Sequence, residues 1–180
     1  MPLTITVPAA TLYDPISNEF IDVNQTTISL EHSLYSISKW ESKWHRSYWD
    51  PKGFTDVEFI DYIRCMTMDK NISSDVYKAI TPDNLESIRA YMEDPMTGTT
   101  FREDKKRPSR EIITSELIYF WMIQNGIPFE CQKWHINRLL TLIRVCAIKN
   151  GPQKKMSRGD IARQNHALNA ARRAKYNTRG

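Results

Sequence analysis

A chain of 180 residues has the length of one domain, or of a domain with an appendage. Apolar residues at 41% and charged residues at 26% lie near the globular average and exclude a disordered, collagen-like or low-complexity protein. The formal charge of +4 is unevenly spread: from residue 151 onward eight lysines and arginines stand against the single anion Asp160, leaving residues 1–150 at −3. A basic end on a mildly acidic body suits an acidic protein face, a nucleic acid or plain solvation of a surface helix.

Cys65, Cys131 and Cys146 are too few and too scattered for a disulfide framework, which points to a reducing compartment. The longest uncharged apolar stretch, residues 117–123, is far short of the ~20 residues that span a bilayer. The opening Met-Pro-Leu-Thr-Ile-Thr-Val has no basic region and no long apolar run, so no export signal is expected.

In chain order, residues 3–7 and 19–23 are short and β-branched, with Pro8, Asp14, Pro15, Ser17 and Asn18 between them. They predict two strands paired as a hairpin with a long loop, laid on the helices that follow because a lone ribbon is marginal. Ser29 then reads as an N-cap, and Leu30, Leu34, Ile37, Trp40 and Trp44 recur at helical spacing, predicting about four amphipathic turns. Asp50-Pro51-Lys52-Gly53 is a turn.

Three further starts carry hydroxyl caps clamped by apolar pairs. Thr55 with Glu58 is a capping box with Phe54 and Phe59 as the staple, Thr81 precedes Pro82 with Ile80 and Leu85, and Ser73 with Ile72 and Tyr77 is a weaker copy. Helices are expected near 56–67, 74–79 and 82–92. Residues 94–108 read as a loop. Ser109 is expected to cap a helix over 111–125, and Gly126 and Pro128 separate it from a long helix over 129–149. The apolar residues of that last helix cover most of its circumference, so it is predicted to sit at the centre, with 111–125 folded back on it as a helical hairpin.

After Asn150-Gly151-Pro152, Ser157 and Asp160 imitate a capping box, with Met156 and Ile161 at the staple positions. They predict a final helix to about Tyr176. Its large apolar residues are Ile161, Leu168 and Tyr176 among alanines, a stripe too sparse to anchor it, so it is expected to be free or ordered only by a partner. The fold class is therefore mainly α, a helical bundle with a small N-terminal β-hairpin and a basic C-terminal helix. The regions are 1–27, 28–150 and 151–180.

Cys131 and His135 stand at i, i+4, a spacing at which two ligands can share a metal. No companion spacing appears among Cys65, Cys146, His32, His45 and His166, and a buried thiol beside a surface imidazole is the better reading. No Gly-rich phosphate loop occurs, and the carboxylates suit capping and solvation rather than paired acid and base work. No metal, cofactor or catalytic group is expected. Trp40, Trp44 and Trp49 with Phe54 and Phe59 make either an aromatic core wedge or an anchor for another chain.

The strings Leu30-Glu31-His32-Ser33-Leu34, Ser36-Ile37-Ser38-Lys39-Trp40-Glu41-Ser42-Lys43-Trp44 and Asp61-Tyr62-Ile63-Arg64-Cys65-Met66-Thr67 resemble small proteins of tailed bacteriophages. So do Ile113-Thr114-Ser115-Glu116-Leu117-Ile118-Tyr119-Phe120-Trp121-Met122, the run from Pro128 to His135 and the basic ending. Over residues 28–180 the chain is similar to phage tail assembly chaperones. That resemblance implies a helical, non-catalytic factor in the host cytoplasm that binds the tape measure protein while the tail tube polymerises. The candidate partner contacts are Trp40, Trp44, Ile161, Leu168, Arg172 and Arg173. Self-association, nucleic-acid binding by the basic end, and a structural role in the tail or neck of the virion are the alternatives.

Overall fold

The computed structural model describes residues 1–14, 18–101, 111–151 and 158–176. It is mainly helical with an N-terminal antiparallel ribbon. The chain divides into two compact units, residues 1–149 and 150–180.

The ribbon has four strands where the sequence suggested two. β1 (Leu3–Val7) pairs with β4 (Thr26–Leu30), and β2 (Ala10–Asp14) with β3 (Glu19–Val23). One register runs through both ladders, from Leu3↔Leu30 to Asp14↔Glu19. The expected pairing of 3–7 with 19–23 is thus replaced by two nested pairings. They are interrupted where Pro8, which has no N–H to donate, stands opposite Gln25. Ile5, Val7, Ile28 and Leu30 alternate into the core, which is why Ser29 and Leu30 belong to a strand and not to a helix start.

Both edges of the β1–β4 ladder are covered. Asn84 Nδ2 donates to Thr6 O at 3.2 Å, while the Met68 N–H donates to Ser29 O at 2.9 Å and the Ser29 N–H to Asp69 Oδ2 at 2.6 Å. A two-stranded ribbon is stable here because its open edges find these partners.

Helix α1 (Leu34–Trp44) starts at Ser33, whose capping box is closed by Ser36, and ends on His45 in the left-handed conformation. Leu34, Ile37 and Trp40 have no exposed surface. Helices α2 (Asp56–Met66) and α3 (Pro82–Glu93) begin where the caps predicted, at Thr55 and Thr81. Hydrogen bonds from the Thr55 backbone and hydroxyl hold the Glu58 carboxyl below its ordinary range, and Phe54 and Phe59 meet at 6.4 Å as the staple. The weaker copy at Ser73 yields only a 3-10 turn, Val76–Ala79, with no side-chain cap.

Helix α4 (Ser115–Gln124) is capped by Thr114, four residues beyond the expected start. Residues 94–101 form neither helix nor strand, as the loop reading expected, and Ser109 with the rest of the 94–108 segment lies outside the described residues. The predicted long helix over 129–149 is split into a 3-10 turn, Phe129–Lys133, an extended Trp134, and helix α5 (Ile136–Asn150). A tertiary bond overrides the helical pattern there: the Ile136 N–H donates to His32 O at 2.7 Å. The sequence placed this helix at the centre, but α5 buries fully only Ile136, Leu139 and Ile143 and leaves Ile148 57% exposed. The central position belongs to α1, against which α2, α4 and the 129–133 turn all pack. The expected hairpin of 111–125 with 129–149 is accordingly absent as the organising pair.

Residues 1–27 share the core of the first unit through Ile5, Val7 and Val23. In the second unit, α6 (Arg158–Tyr176) exposes every described side chain. The Met156, Ser157 and Asp160 readings at its start fall outside the described side chains.

The Glu41 carboxylate, 7% exposed, ties two separate segments to α1. It accepts the Tyr48 N–H and the Ser115 N–H, each at 2.7 Å. Glu41→Ala strands two buried donors at ~1–3 kcal/mol each. Its urea unfolding midpoint should fall by the equivalent of roughly 2–4 kcal/mol, and a loss below ~1 kcal/mol would show that water replaces the carboxylate.

Candidate partner-binding groove

The C-terminal end of α1, the outward face of α2 and the 3-10 turn at Val76–Ala79 enclose an open groove of about 680 Å³. Val57, Ile60, Asp61 and Arg64 line it from α2, at the i, i+3, i+4, i+7 spacing of one helix face. Lys43 and Trp44 enter from α1, and Tyr77, Lys78 and Ile80 complete the wall. Helix α2 is apolar on two sides: Tyr62, Ile63 and Met66 are buried in the core, whereas Val57 is 69% exposed.

Trp44 is fixed in place by its polar edge. Its indole Nε1–H donates to Asp61 Oδ2 at 2.8 Å, and Lys43 Nζ donates to Asp61 Oδ1 at 2.5 Å. A carboxylate with a side chain only 9% exposed is thereby matched by two donors, the condition under which a buried charge is tolerated. Arg64 lies over the Tyr77 ring, 5.1 Å from its centroid, and donates to Ser74 O at 3.2 Å. Lys78 pairs with Asp75 at 2.8 Å. The floor is hydrocarbon and aromatic carbon, and Lys43, Asp61, Arg64 and Lys78 at its rim are each engaged by a neighbour.

Of the expected contacts, Trp44 lines this groove and Trp40 does not. Trp40 has no exposed surface and donates its indole N–H to Glu58 O at 3.1 Å. It packs edge-on to Phe54 at 4.8 Å and stacks on Trp44 at 6.2 Å. Trp40 is therefore part of the aromatic core wedge and, contrary to expectation, has no surface to offer a partner. In the second unit Ile161 is 44% and Leu168 50% exposed, and Arg172 and Arg173 are exposed on the same helix.

Val57 and Ile60 were not singled out by sequence, and Tyr77 and Ile80 were read only as staple residues. The signal that could have found Val57 and Ile60 is the second apolar face of α2, on the side away from Tyr62 and Ile63.

The metal-type spacing of Cys131 and His135 loses its basis, because the two residues do not share an α-helix. Cys131 lies in the 3-10 turn and His135 follows the extended Trp134. His135 is also no surface imidazole. It is 6% exposed, and its ring lies 5.1 Å from that of the equally buried His32. Among the described residues no group of three or more His, Cys, Asp or Glu side chains is arranged to hold a metal. Burial pushes the Cys65 thiol up from its ordinary value, which keeps it protonated and weakens it as a nucleophile.

Comparison with protein-family models, with curated proteins and with solved structures finds no match to this chain. Among the described residues no helix is long and apolar enough to cross a membrane.

Val57→Asp introduces a charge into the groove at an exposed position. It should change unfolding stability by no more than ~0.5 kcal/mol, as surface substitutions do, while lowering the fluorescence of an apolar dye such as ANS bound to the native protein. Unchanged dye binding would show that the groove is not an accessible apolar surface.

Proposed function

We propose that this chain is a non-catalytic assembly chaperone of a phage tail, which holds an amphipathic helix of the tape measure protein during tube assembly in the host cytoplasm. The observation that carries this reading is the open apolar groove beside Trp44, fixed by Asp61 at one wall and lined by Val57, Ile60, Tyr77 and Ile80. A tape measure is a long helical chain whose apolar stripes aggregate until the tube encloses them. A factor that covers those stripes must offer an apolar surface that binds and lets go, which is helix-in-groove recognition. The resemblance of residues 28–180 to tail assembly chaperones supplies the identity of the partner. In this reading the body is a small helical bundle that presents the groove, and the basic helix α6 is a second contact element through Ile161, Leu168, Arg172 and Arg173.

A second reading has a specific observation behind it. Arg158, Arg163, Arg172, Arg173 and Lys175 are all exposed on α6, an arrangement suited to nucleic-acid phosphates. Only Tyr176 among the aromatics accompanies them, so stacking on bases has little support.

Co-expression with the tape measure protein of the same phage tests the first reading, with the soluble fraction of the tape measure as readout. The full chain should raise that fraction. Val57→Asp should reduce the effect, and a chain ending at residue 150 should stay folded by circular dichroism yet lose it. A truncated or groove-charged chain with full activity would overturn the assignment. Salt separates the two readings: five phosphate contacts give a slope of log K against log salt of roughly −4, whereas apolar docking changes little with ionic strength.

A further inference from the structure

The N-terminus of α5 is latched to the body through two buried histidines. His135 stands at its N-cap position, where Nδ1 faces the Asn137 N–H at 3.3 Å and Nε2 faces Tyr91 O at 3.1 Å. An amide N–H only donates and a carbonyl only accepts. These partners therefore assign the neutral tautomer, with the proton on Nε2 and a free lone pair on Nδ1.

His32 supplies the other half. Its carbonyl accepts the Ile136 N–H at 2.7 Å, and its Nδ1 lies 2.5 Å from the Tyr62 hydroxyl. Asn137 Nδ2 completes the attachment by donating to Met92 O at 3.1 Å and to Asp94 O at 2.8 Å. Three separate pieces of chain meet here: the β4–α1 junction, the end of α3 and the start of α5.

We infer that this histidine pair is an acid-opened latch, which holds α5 on the body while both rings are neutral and releases it when they take up protons. Protonating His135 fills the lone pair that caps Asn137, so the cap bond is lost. It also places a cation 5.1 Å from the ring of His32, itself 4% exposed.

The surrounding groups set how far each ring resists. Burial, and then the neighbouring His135, push the His32 imidazole down to about 3. Burial lowers His135 as well, opposed by the Tyr91 carbonyl and by the charges of Glu31 and Asp94, and reinforced by the amino terminus. The rings facing the pair are Tyr48, Tyr62 and Tyr91. Burial raises all three phenols above their ordinary value, so they stay neutral. Glu31 is held by the Tyr91 hydroxyl at 2.7 Å.

Both histidine values are lowered in the closed state. The stabilising contribution is therefore complete above pH ~6.5, the open-state value, and declines as pH falls toward the closed-state values. Helix α5 is the element that yields, because it buries fully only Ile136, Leu139 and Ile143.

Hydrogen exchange of the full chain tests this, read at the α5 amides and corrected for the intrinsic pH dependence of exchange. Between pH 7.5 and pH 5 the opening equilibrium of α5 should rise severalfold, with roughly thirtyfold as the ceiling set by full solvation of His32 in the open state, while the α1 amides change much less. The doubly substituted chain His32→Gln with His135→Asn keeps an N-cap acceptor and should show a flat α5 response. Imidazole NMR shifts of the unaltered chain give an independent check that needs no variant: His32 should stay neutral at pH 5 in the closed form. An α5 opening equilibrium that does not move with pH, a pH response retained in the double variant, or a His32 ring that titrates near 6.5 with α5 still protected would each overturn the latch.

Discussion

The Glu41 carboxylate is the point at which α1, the turn after it and the start of α4 are joined, and the first unit depends on that junction. Every α-helix there is fifteen residues or shorter, and a two-stranded ribbon buries little alone. Apolar surface leaves water only if these pieces surround a common element, and α1 is that element. A helix surrounded on most sides leaves little room for polar side chains, so Glu41 is accepted only because two backbone amides point at it. The same amides would otherwise be buried donors at a helix N-terminus and in a turn.

The aromatic residues distribute the work between core and surface. Trp40, Tyr48, Phe54 and Tyr62 stand within 4.8–6.3 Å of one another along successive ring contacts, and Arg46 lies over the Trp40 ring at 5.3 Å. Trp44 is one helical turn further and is left at the margin of this cluster. Its indole N–H cannot be buried without an acceptor, and Asp61 is that acceptor. The groove is thus a consequence of where the core ends: the last aromatic of α1 is half-buried, and among the described residues of the first unit no helix covers Val57 and Ile60 on the neighbouring face of α2.

What the sequence disclosed and what it withheld follow from the range of the interactions involved. The starts of α2 and α3 were legible because a cap is a local device: Thr55 with Glu58 and Thr81 with Pro82 satisfy amides three residues away. The strand at Thr26–Leu30 was hidden because Leu30 and Leu34 continue the helical spacing of α1, and only pairing with residues more than twenty positions earlier turns Ile28 and Leu30 inward. The break at Trp134 was hidden for the same reason, since the carbonyl that captures Ile136 belongs to His32, a hundred residues away in the chain. At the groove, Trp44 was found by its residue type, and Trp40 was misplaced because composition does not separate a tryptophan that ends a core from one inside it.

The division of the chain sharpens the contrast between its two apolar resources. In the first unit each large side chain that is buried contributes ~1.5–3 kcal/mol, and more than twenty such residues form one core. In α6 the three large apolar residues keep between 44% and 67% of their surface exposed, so folding of the second unit gains almost nothing from them. Alanine still favours the helical state, and a nineteen-residue helix exceeds the length at which isolated helices begin to persist. The helix is therefore set by propensity, while Ile161 and Leu168 keep about half of their surface exposed. Ile161 and Leu168 therefore contribute little to folding of their own unit, whereas Trp44 is part of the packing of the first unit through its bond to Asp61.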